Sequence, residues 1–347
     1  MSVATAPPSP PRTSHVSRRW RIIVWGVAGA FILIEVLANA FAVLLTQIDG
    51  IEADVVEAIG PGGETLLQYM QLEMHVDALI FVSALIVGAL ILSRYPRHGF
   101  GWALGVGWGV LLTTMHATMV LSIASVVVAP WDDLTPYAFW VQSLDQLLFP
   151  ITIPLALMVY PTGQLLGPWF RRVTYVAFAL VALVGFGLAL RKGPIYSEIE
   201  DILVDNPFGI WAWSPITAFE VLSVGTLMLM AATLVVRYRR AKGVERLQMK
   251  WVFLIAGGAL LLLTASGFIE SSYPSTANAM SIIAGAFAAL GVAAVGAAIL
   301  RYRLFDIDVV INRSIVFGLL AVFITVVYAI VVGTLGSVIG GSDVVLA

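Results

Sequence analysis

The chain has 347 residues, of which 60% are apolar and 12% are charged, against about 45–50% and about 25% in an ordinary soluble domain. Its 19 basic and 21 acidic side chains nearly cancel to a net charge of −2, which gives no reason to expect nucleic acid as a partner. The lack of cysteine excludes disulfides, iron–sulfur clusters and cysteine nucleophiles. This composition indicates an integral membrane protein.

Residues 1–20 are predicted as a disordered cytoplasmic tail, and residues 21–347 as one all-α, polytopic transmembrane domain. The first apolar run lacks the small-residue cleavage site of a signal peptide, so we expect it to remain in the protein. About 20 apolar residues cross a bilayer as a helix, and this rule gives nine spans. They are predicted at 22–46, 77–93, 102–127, 139–160, 173–190, 216–236, 251–269, 280–300 and 315–338.

The basic residues predict how these spans are oriented. Cytoplasmic loops are enriched in Lys and Arg, and a cytoplasmic N-terminus places 17 of the 19 basic residues inside, leaving Arg191 and Lys192 outside. We therefore expect a multi-pass protein of the inner (plasma) membrane. Nine spans leave the C-terminus outside, and residues 344–347 resemble the start of another apolar helix. We expect a tenth span that has been cut off.

Small residues and prolines predict how some spans pack. Gly101, Gly105 and Gly109 recur every four residues, a spacing that favours close approach of two helices. They would pack within one bundle or form a dimer face. Pro150 and Pro154 predict a kink in the fourth span, which would serve as a hinge or only as packing.

Ionisable side chains inside the predicted spans are the candidate functional groups. Such a group at the bilayer centre costs at least about 2.5–3.5 kcal/mol on insertion scales, so each should face the bundle interior and have a partner. Polar neighbours share their helical faces. The predicted pocket in the outer half of the bundle consists of Glu35, Asn39, Thr113, His116, Gln142, Asp145 and Glu220. It would receive a small ligand or protons; the alternative is a set of hydrogen bonds that only hold the helices together.

Other chemistries find little support in the residue content. No lysine lies inside a span, so no buried amine is available for a Schiff base, and no phosphate-binding loop or H-E-x-x-H motif occurs. Glu73, His75 and Asp77 give a weak indication of a metal site, against the alternative of a solvated acidic face. We predict no metal, no cofactor and no catalysis by this chain.

Three stretches resemble a known family. Residues 160–165 (YPTGQL), 245–251 (ERLQMKW) and 300–320 (LRYRLFDIDVVINRSIVFGLL) resemble the inner loops of bacterial, chiefly actinobacterial, multi-span sensor histidine kinases similar to the competence quorum-sensing kinase. The last stretch resembles the segment before that group's final membrane hairpin. In that family a dimerisation helix pair with the phospho-accepting histidine and an ATP-binding domain follow in the cytoplasm, and this sequence stops before them.

The resemblance implies a truncated sensory input region of a two-component kinase. We expect it to form a homodimer in the lipid bilayer and to respond to an unknown small ligand or membrane stimulus. The segment that couples it to the kinase would contain Arg301, Arg303, Asp306, Asp308 and Arg313. A function of a different class remains open, namely a small-solute or proton-coupled transporter, although the sequence lacks the internal repeats typical of transporters.

Overall fold

The computed structural model describes residues 16–128, 132–197, 202–269 and 274–303, and most of them are helical. The helices are α1 (Arg18–Leu45), α2 (Ile51–Ile59), α3 (Gly62–Leu72), α4 (Met74–Leu92), α5 (Gly99–Trp102), a π-helical segment (Ala103–Val110), α6 (Leu111–Val127), α7 (Thr135–Val159), α8 (Pro168–Ala189), α9 (Ile216–Arg240), α10 (Gly243–Ile269) and α11 (Pro274–Arg303). A single 3-10 turn, Asp132–Leu134, precedes α7. Within these residues the only extended pairings are two isolated bridges, so the predicted all-α class is confirmed.

Seven helices in the described residues are long and apolar enough to cross a membrane. They are α1, α4, the continuous helix formed by α5, the π segment and α6, then α7, α8, α9 and the Ala279–Gly296 part of α11. Each lies within a few residues of a predicted span. Helix α10 covers the predicted span 251–269 without being one of the seven, and the predicted span 315–338 lies outside the described residues. A polytopic helix bundle is therefore confirmed, and the count of nine spans stays a prediction.

Helix α1 begins at Arg18, inside the range predicted as a disordered tail. Ser17 caps it, because its side chain accepts a hydrogen bond from the Trp20 backbone N–H at 3.2 Å. The last three residues of the predicted tail are therefore helical. Residues 1–15 lie outside the described part of the chain.

One end of the bundle, which we call the basic end, gathers the arginine-rich loops. The Trp20 indole in the first turn of α1 donates to the Leu92 carbonyl at the end of α4 at 2.8 Å. The start of α5 and the α7–α8 loop also meet here. The backbones of Gly99 and Gly163 lie so close together that a Cβ on Gly99 would clash with the Gly163 carbonyl. The basic end carries Arg18, Arg19, Arg21, Arg94, Arg97, Arg171, Arg172, Arg237, Arg239 and Arg240.

The opposite end, which we call the acidic end, is covered by helices α2 and α3. Their buried apolar residues are Ile51, Val55, Ile59, Leu66, Leu67 and Met70, each at most 6% exposed, and they join one core cluster with the ends of α1 and α6. The loop between α8 and α9 packs beside them, where the Leu203 N–H donates to the Ile59 carbonyl at 2.7 Å. Arg191 and Lys192 lie in this loop. The charge separation predicted from the sequence is present in the fold.

Glycines bring α4 against the π segment. A Cβ on Gly88 would clash with the backbone of Gly105, and one on Gly109 would lie 2.7 Å from the Leu85 side chain. Gly101 likewise faces the last turn of α4. The small-residue stripe therefore packs inside one bundle, which is the first of the two predicted alternatives.

Candidate functional site

Helix α1 carries one charged residue on its buried face. The buried positions of this helix are Ala28, Glu35, Ala38, Ala42 and Leu45, which recur at the three- and four-residue spacing of one helical face. Glu35 is 1% exposed and therefore has to find its partner inside the protein. That partner is a histidine on α6.

Glu35 and His116 form a buried pair between α1 and α6. The Glu35 Oε1 atom lies 2.6 Å from His116 Nδ1, and the side chains are 1% and 0% exposed. The ring of Phe81 on α4 packs against the imidazole at a centroid distance of 4.5 Å with the ring planes tilted by 48°, which excludes water from that side. A short contact of this kind requires a proton between the two atoms, whichever of them holds it.

Polar side chains extend this pair toward the acidic end in two directions. On one side, His116 Nε2 lies 3.1 Å from the Tyr69 hydroxyl of α3, which donates to Asp77 Oδ2 of α4 at 2.7 Å. On the other side, the Asn39 amide donates to Glu35 Oε1 at 3.0 Å, and His75 Nδ1 lies 2.8 Å from Asn39 Oδ1. We call these six residues, His75, Asn39, Glu35, His116, Tyr69 and Asp77, the buried network.

The donors and acceptors of the buried network form one consistent order. Because the Tyr69 hydroxyl gives its hydrogen to Asp77, it accepts from His116, and His116 Nε2 therefore carries a hydrogen. His116 Nδ1 is then protonated when Glu35 is ionised, or it accepts the hydrogen of a protonated Glu35. In either case the pair holds one proton that can pass between a carboxylate and an imidazole.

Burial decreases outward along the buried network. Glu35 and His116 are buried, whereas Asn39, Tyr69, His75 and Asp77 are partly exposed. Burial, and next the carboxylate of Asp77, raise the pKa of Tyr69 well above its ordinary value, so its phenol remains a neutral donor and acceptor. Asp77, Tyr69, His116 and Glu35 thus form a hydrogen-bonded path from the partly exposed start of α4 to the bundle interior. Such a path can carry a proton to and from Glu35.

Two buried polar atoms near this path have no hydrogen-bond partner among the described residues. They are Glu35 Oε2 and the hydroxyl oxygen of Thr113, the latter one turn before His116 on α6. Buried polar groups are nearly always paired. These two oxygens are therefore the polar atoms of this region whose hydrogen bonds the described residues leave unmade.

The structure unites only part of the predicted pocket. Glu35, Asn39 and His116 belong to the buried network, and Thr113 lies beside it on α6. Gln142 on α7 instead accepts from Ser122 at 3.3 Å. The remaining two members are Asp145, on α7 with a side chain outside the described part, and Glu220, which is exposed on α9.

The network has members that the sequence prediction missed. The sequence prediction does not include Tyr69, and it gives His75 and Asp77 only as part of a metal site or of a solvated acidic face. No group of three or more His, Asp or Glu side chains in the described ranges could hold a metal ion. The signal that could have found Tyr69 is the apolar spacing of α2 and α3, which is typical of helices that pack onto a bundle. Helix α3 places the Tyr69 hydroxyl against His116.

A second polar cluster lies at the basic end. Arg237, 4% exposed at the end of α9, donates to Thr162 Oγ1 at 2.9 Å and to the carbonyls of Met158 and Gln164 at 2.9 and 2.6 Å. Its guanidinium also lies 3.9 Å from Glu245 at the start of α10. We call Met158, Thr162, Gln164, Arg237 and Glu245 the basic-end junction.

The basic-end junction joins two of the family-like stretches. Residues 160–165 contact α10 directly, since the Tyr160 hydroxyl lies 3.4 Å from the Gln248 carbonyl. The third stretch begins at the end of α11, where Arg301 and Arg303 are helical. Asp306, Asp308 and Arg313 lie outside the described residues.

The fold and the network define a polytopic helical membrane protein with a buried ionisable site. Comparison with protein-family models, with curated proteins and with solved structures finds no match for this chain.

Proposed function

We propose that this chain is the membrane-embedded signal-input region of a sensor histidine kinase and that the buried network receives the signal. The observation that carries this proposal is the Glu35–His116 pair, which is fully buried yet connected by hydrogen bonds to the acidic end. An ionisable group inside a membrane span marks a functional site by default. The resemblance of three stretches to such kinases supplies the class of protein.

The proposed signal acts by changing the charge of the buried network. If the basic end faces the cytoplasm, as the distribution of Lys and Arg predicts, the acidic end faces the outside. Protons or a small ligand arriving there would alter how Glu35 and His116 share their proton. Because α1, α3, α4 and α6 all contribute side chains, each charge state favours its own arrangement of these helices.

The basic-end junction is the proposed output. Helix α4 runs from Asp77 in the network to the loop that contacts Gly163, so a shift of α4 reaches the stretch held by Arg237. From there the signal would pass through α11 and the segment with Asp306, Asp308 and Arg313. We further propose that the chain works as a homodimer in the bilayer, as the resemblance to these kinases implies.

The test is a chimera in which the chain, followed by one further apolar helix, is joined to a histidine kinase core. Autophosphorylation in membrane vesicles is measured while the pH on the acidic side is varied between about 5 and 8, where histidine titrates. We expect the response to be lost in Glu35→Gln and retained in Glu52→Gln, which neutralises an exposed acid of α2. A response of the same size in both variants, at equal protein level, would contradict the proposal.

The second candidate function is a proton-coupled transporter, which the same buried carboxylate–imidazole pair would also serve. The two functions differ in what crosses the membrane. Proteoliposomes that contain the chain and an internal pH-sensitive dye should hold an imposed pH gradient as long as empty liposomes if the chain is a signal-input region. Dissipation of the gradient that disappears in Glu35→Gln would favour the transporter.

A further inference from the structure

A cavity of about 210 Å³ lies between α7 and α9, apart from the buried network. It is lined by Phe149, Pro150, Ile153, Pro154, Tyr196, Phe219, Glu220, Ser223 and Leu227. Pro150 and Pro154 remove two backbone donors from α7. Because Pro154 has no N–H, the Pro150 carbonyl lacks its helical partner, and it accepts from the Thr226 hydroxyl of α9 at 2.9 Å. Helix α7 and its neighbour α9 thus line the cavity on two sides.

Among the described side chains that line this cavity, Glu220 is the only charged one. It lies in the second turn of α9, a helix apolar enough to span a membrane, and it is exposed. No Lys or Arg nitrogen in the described part of the chain lies within 4.0 Å of its carboxylate, and none of the lining residues is basic. A carboxylate inside a membrane-spanning helix is unfavourable without a partner, and a cation would neutralise it.

Three aromatic rings line the same cavity as the Glu220 carboxylate. Phe219 and Tyr196 meet edge to face at a centroid distance of 5.7 Å, and Phe149 contributes a third ring that is 42% exposed. Ring faces attract cations, particularly those with weakly hydrated apolar substituents. A cavity lined by one carboxylate and three rings therefore favours an organic cation over a hydrated metal ion.

We propose that this cavity binds a small monovalent organic ammonium ion with apolar or aromatic substituents, with Glu220 as its counter-ion. The volume is below the 300–1,000 Å³ of typical drug-sized pockets, so the occupant is small. The ammonium group can belong to a free amine or to a lipid headgroup, since Glu220 lies near the acidic end of α9. The site stands independently of the function proposed for the buried network.

The test uses the full chain in dodecyl maltoside micelles, which contain no ammonium group. Benzyltrimethylammonium is the probe, and neopentylbenzene is its neutral counterpart of nearly the same shape. Binding is measured by equilibrium dialysis, with empty micelles as the blank and circular dichroism as the check of folding. We expect saturable binding of the cation and no saturable binding of the neutral molecule.

Three variants test the assigned roles. Glu220→Gln should weaken binding of the cation at least about tenfold, and Phe149→Leu should weaken it about two- to fivefold because a ring face is lost. Ser223→Phe fills the cavity and retains the carboxylate, so it should abolish binding even if Glu220→Gln fails to fold. Glu52→Gln, an acid of the same end outside the cavity, should bind as the parent chain does.

Two results would overturn the proposal: no saturable binding to the folded parent chain, or equal affinity in the parent chain and Glu220→Gln. The source of the natural ammonium group follows from a competition experiment. If added phosphatidylcholine displaces the probe in proportion to its concentration, the site takes a lipid headgroup. If displacement requires a soluble amine, it takes a free ligand.

Discussion

Removing the Tyr69 hydroxyl should destabilise the protein out of proportion to the single atom that is lost. In Tyr69→Phe the ring remains, but His116 Nε2–H loses its acceptor at 3.1 Å and Asp77 loses a donor at 2.7 Å. Asp77 is partly exposed and can take up water in exchange. His116 is 0% exposed, so its N–H stays without a partner.

The expected loss in the free energy of unfolding is about 1–2 kcal/mol. An unsatisfied buried donor costs about 1–3 kcal/mol, whereas interhelical hydrogen bonds in membrane proteins average about 0.6 kcal/mol and reach about 1.7. The complete burial of His116 places the expectation toward the upper part of the membrane range. The measurement is unfolding by sodium dodecyl sulfate in mixed micelles, followed by helical circular dichroism.

Two controls separate the network from the ring itself. Tyr137→Phe removes a hydroxyl from a side chain that is 49% exposed and should change the free energy of unfolding by less than about 0.5 kcal/mol. In a His116→Leu background the imidazole N–H that needs Tyr69 as its acceptor is absent. Tyr69→Phe should therefore cost at least about 0.5 kcal/mol less there than in the parent chain. The reasoning is refuted if Tyr69→Phe costs the same in both backgrounds or no more than Tyr137→Phe.

Further predictions concern the network's pH dependence, the basic-end junction and the glycine contact. Because the pKa of Tyr69 lies above 10.0 in the fold, the unfolded chain loses this proton first; stability should fall as the pH rises above about 10, and less so in Tyr69→Phe, in the same unfolding assay. Equal slopes in the two proteins would contradict this assignment. Arg237→Lys keeps the charge but loses the forked contacts to three acceptors, so it should lower the free energy of unfolding by about 2–3 kcal/mol, whereas the exposed Arg240→Lys should be near neutral; similar values for both would argue against the junction. Gly88→Ala should cost about 1–3 kcal/mol through overpacking against the π segment, whereas Gly26→Ala, which meets no atom within 4 Å, should cost almost nothing; equal melting temperatures of these two variants would show that α4 is not closely packed there.

The spans could be predicted from the sequence because the hydrophobic requirement of a bilayer is local. Each of the first eight predicted spans overlaps one helix over most of its length, although α10 is not among the seven spanning candidates. The start of α1 was predicted too late because Ser17 caps the helix before the apolar run begins. The segregation of basic and acidic loops followed from the same local reasoning.

The buried network could be predicted only in part. The pairing of Asn39 with Glu35 follows from helical spacing, but the partner of Glu35 on α6 depends on which helices are neighbours, and a single sequence does not specify that. The sequence prediction misses Tyr69 because residues 47–76 carry many acids and lie between two predicted spans, which is typical of an outer loop. Their apolar residues at four-residue intervals, such as Ile51, Val55 and Ile59, mark a helix that folds back onto the bundle.

The predicted pocket joins residues that the structure places apart, because a single sequence does not specify which helices are neighbours. Glu220 is predicted in the same outer half of the bundle as Glu35 but lies on α9, which packs against α7 and α8 rather than α1. Depth along a helix can be counted from the sequence, whereas the position of that helix around the bundle cannot. The structure therefore separates the buried network from the cavity beside Glu220.

The central claim is that a charge change in the buried network alters the basic end of the bundle, and a distance measurement tests it most directly. Because the sequence has no cysteine, spin labels can be attached at Arg97→Cys and Arg240→Cys, two exposed positions of that end. We expect Glu35→Gln to shift or broaden the distance distribution measured by double electron–electron resonance in nanodiscs, and Glu52→Gln to leave it as in the parent chain. A distribution unchanged by Glu35→Gln would contradict the claim.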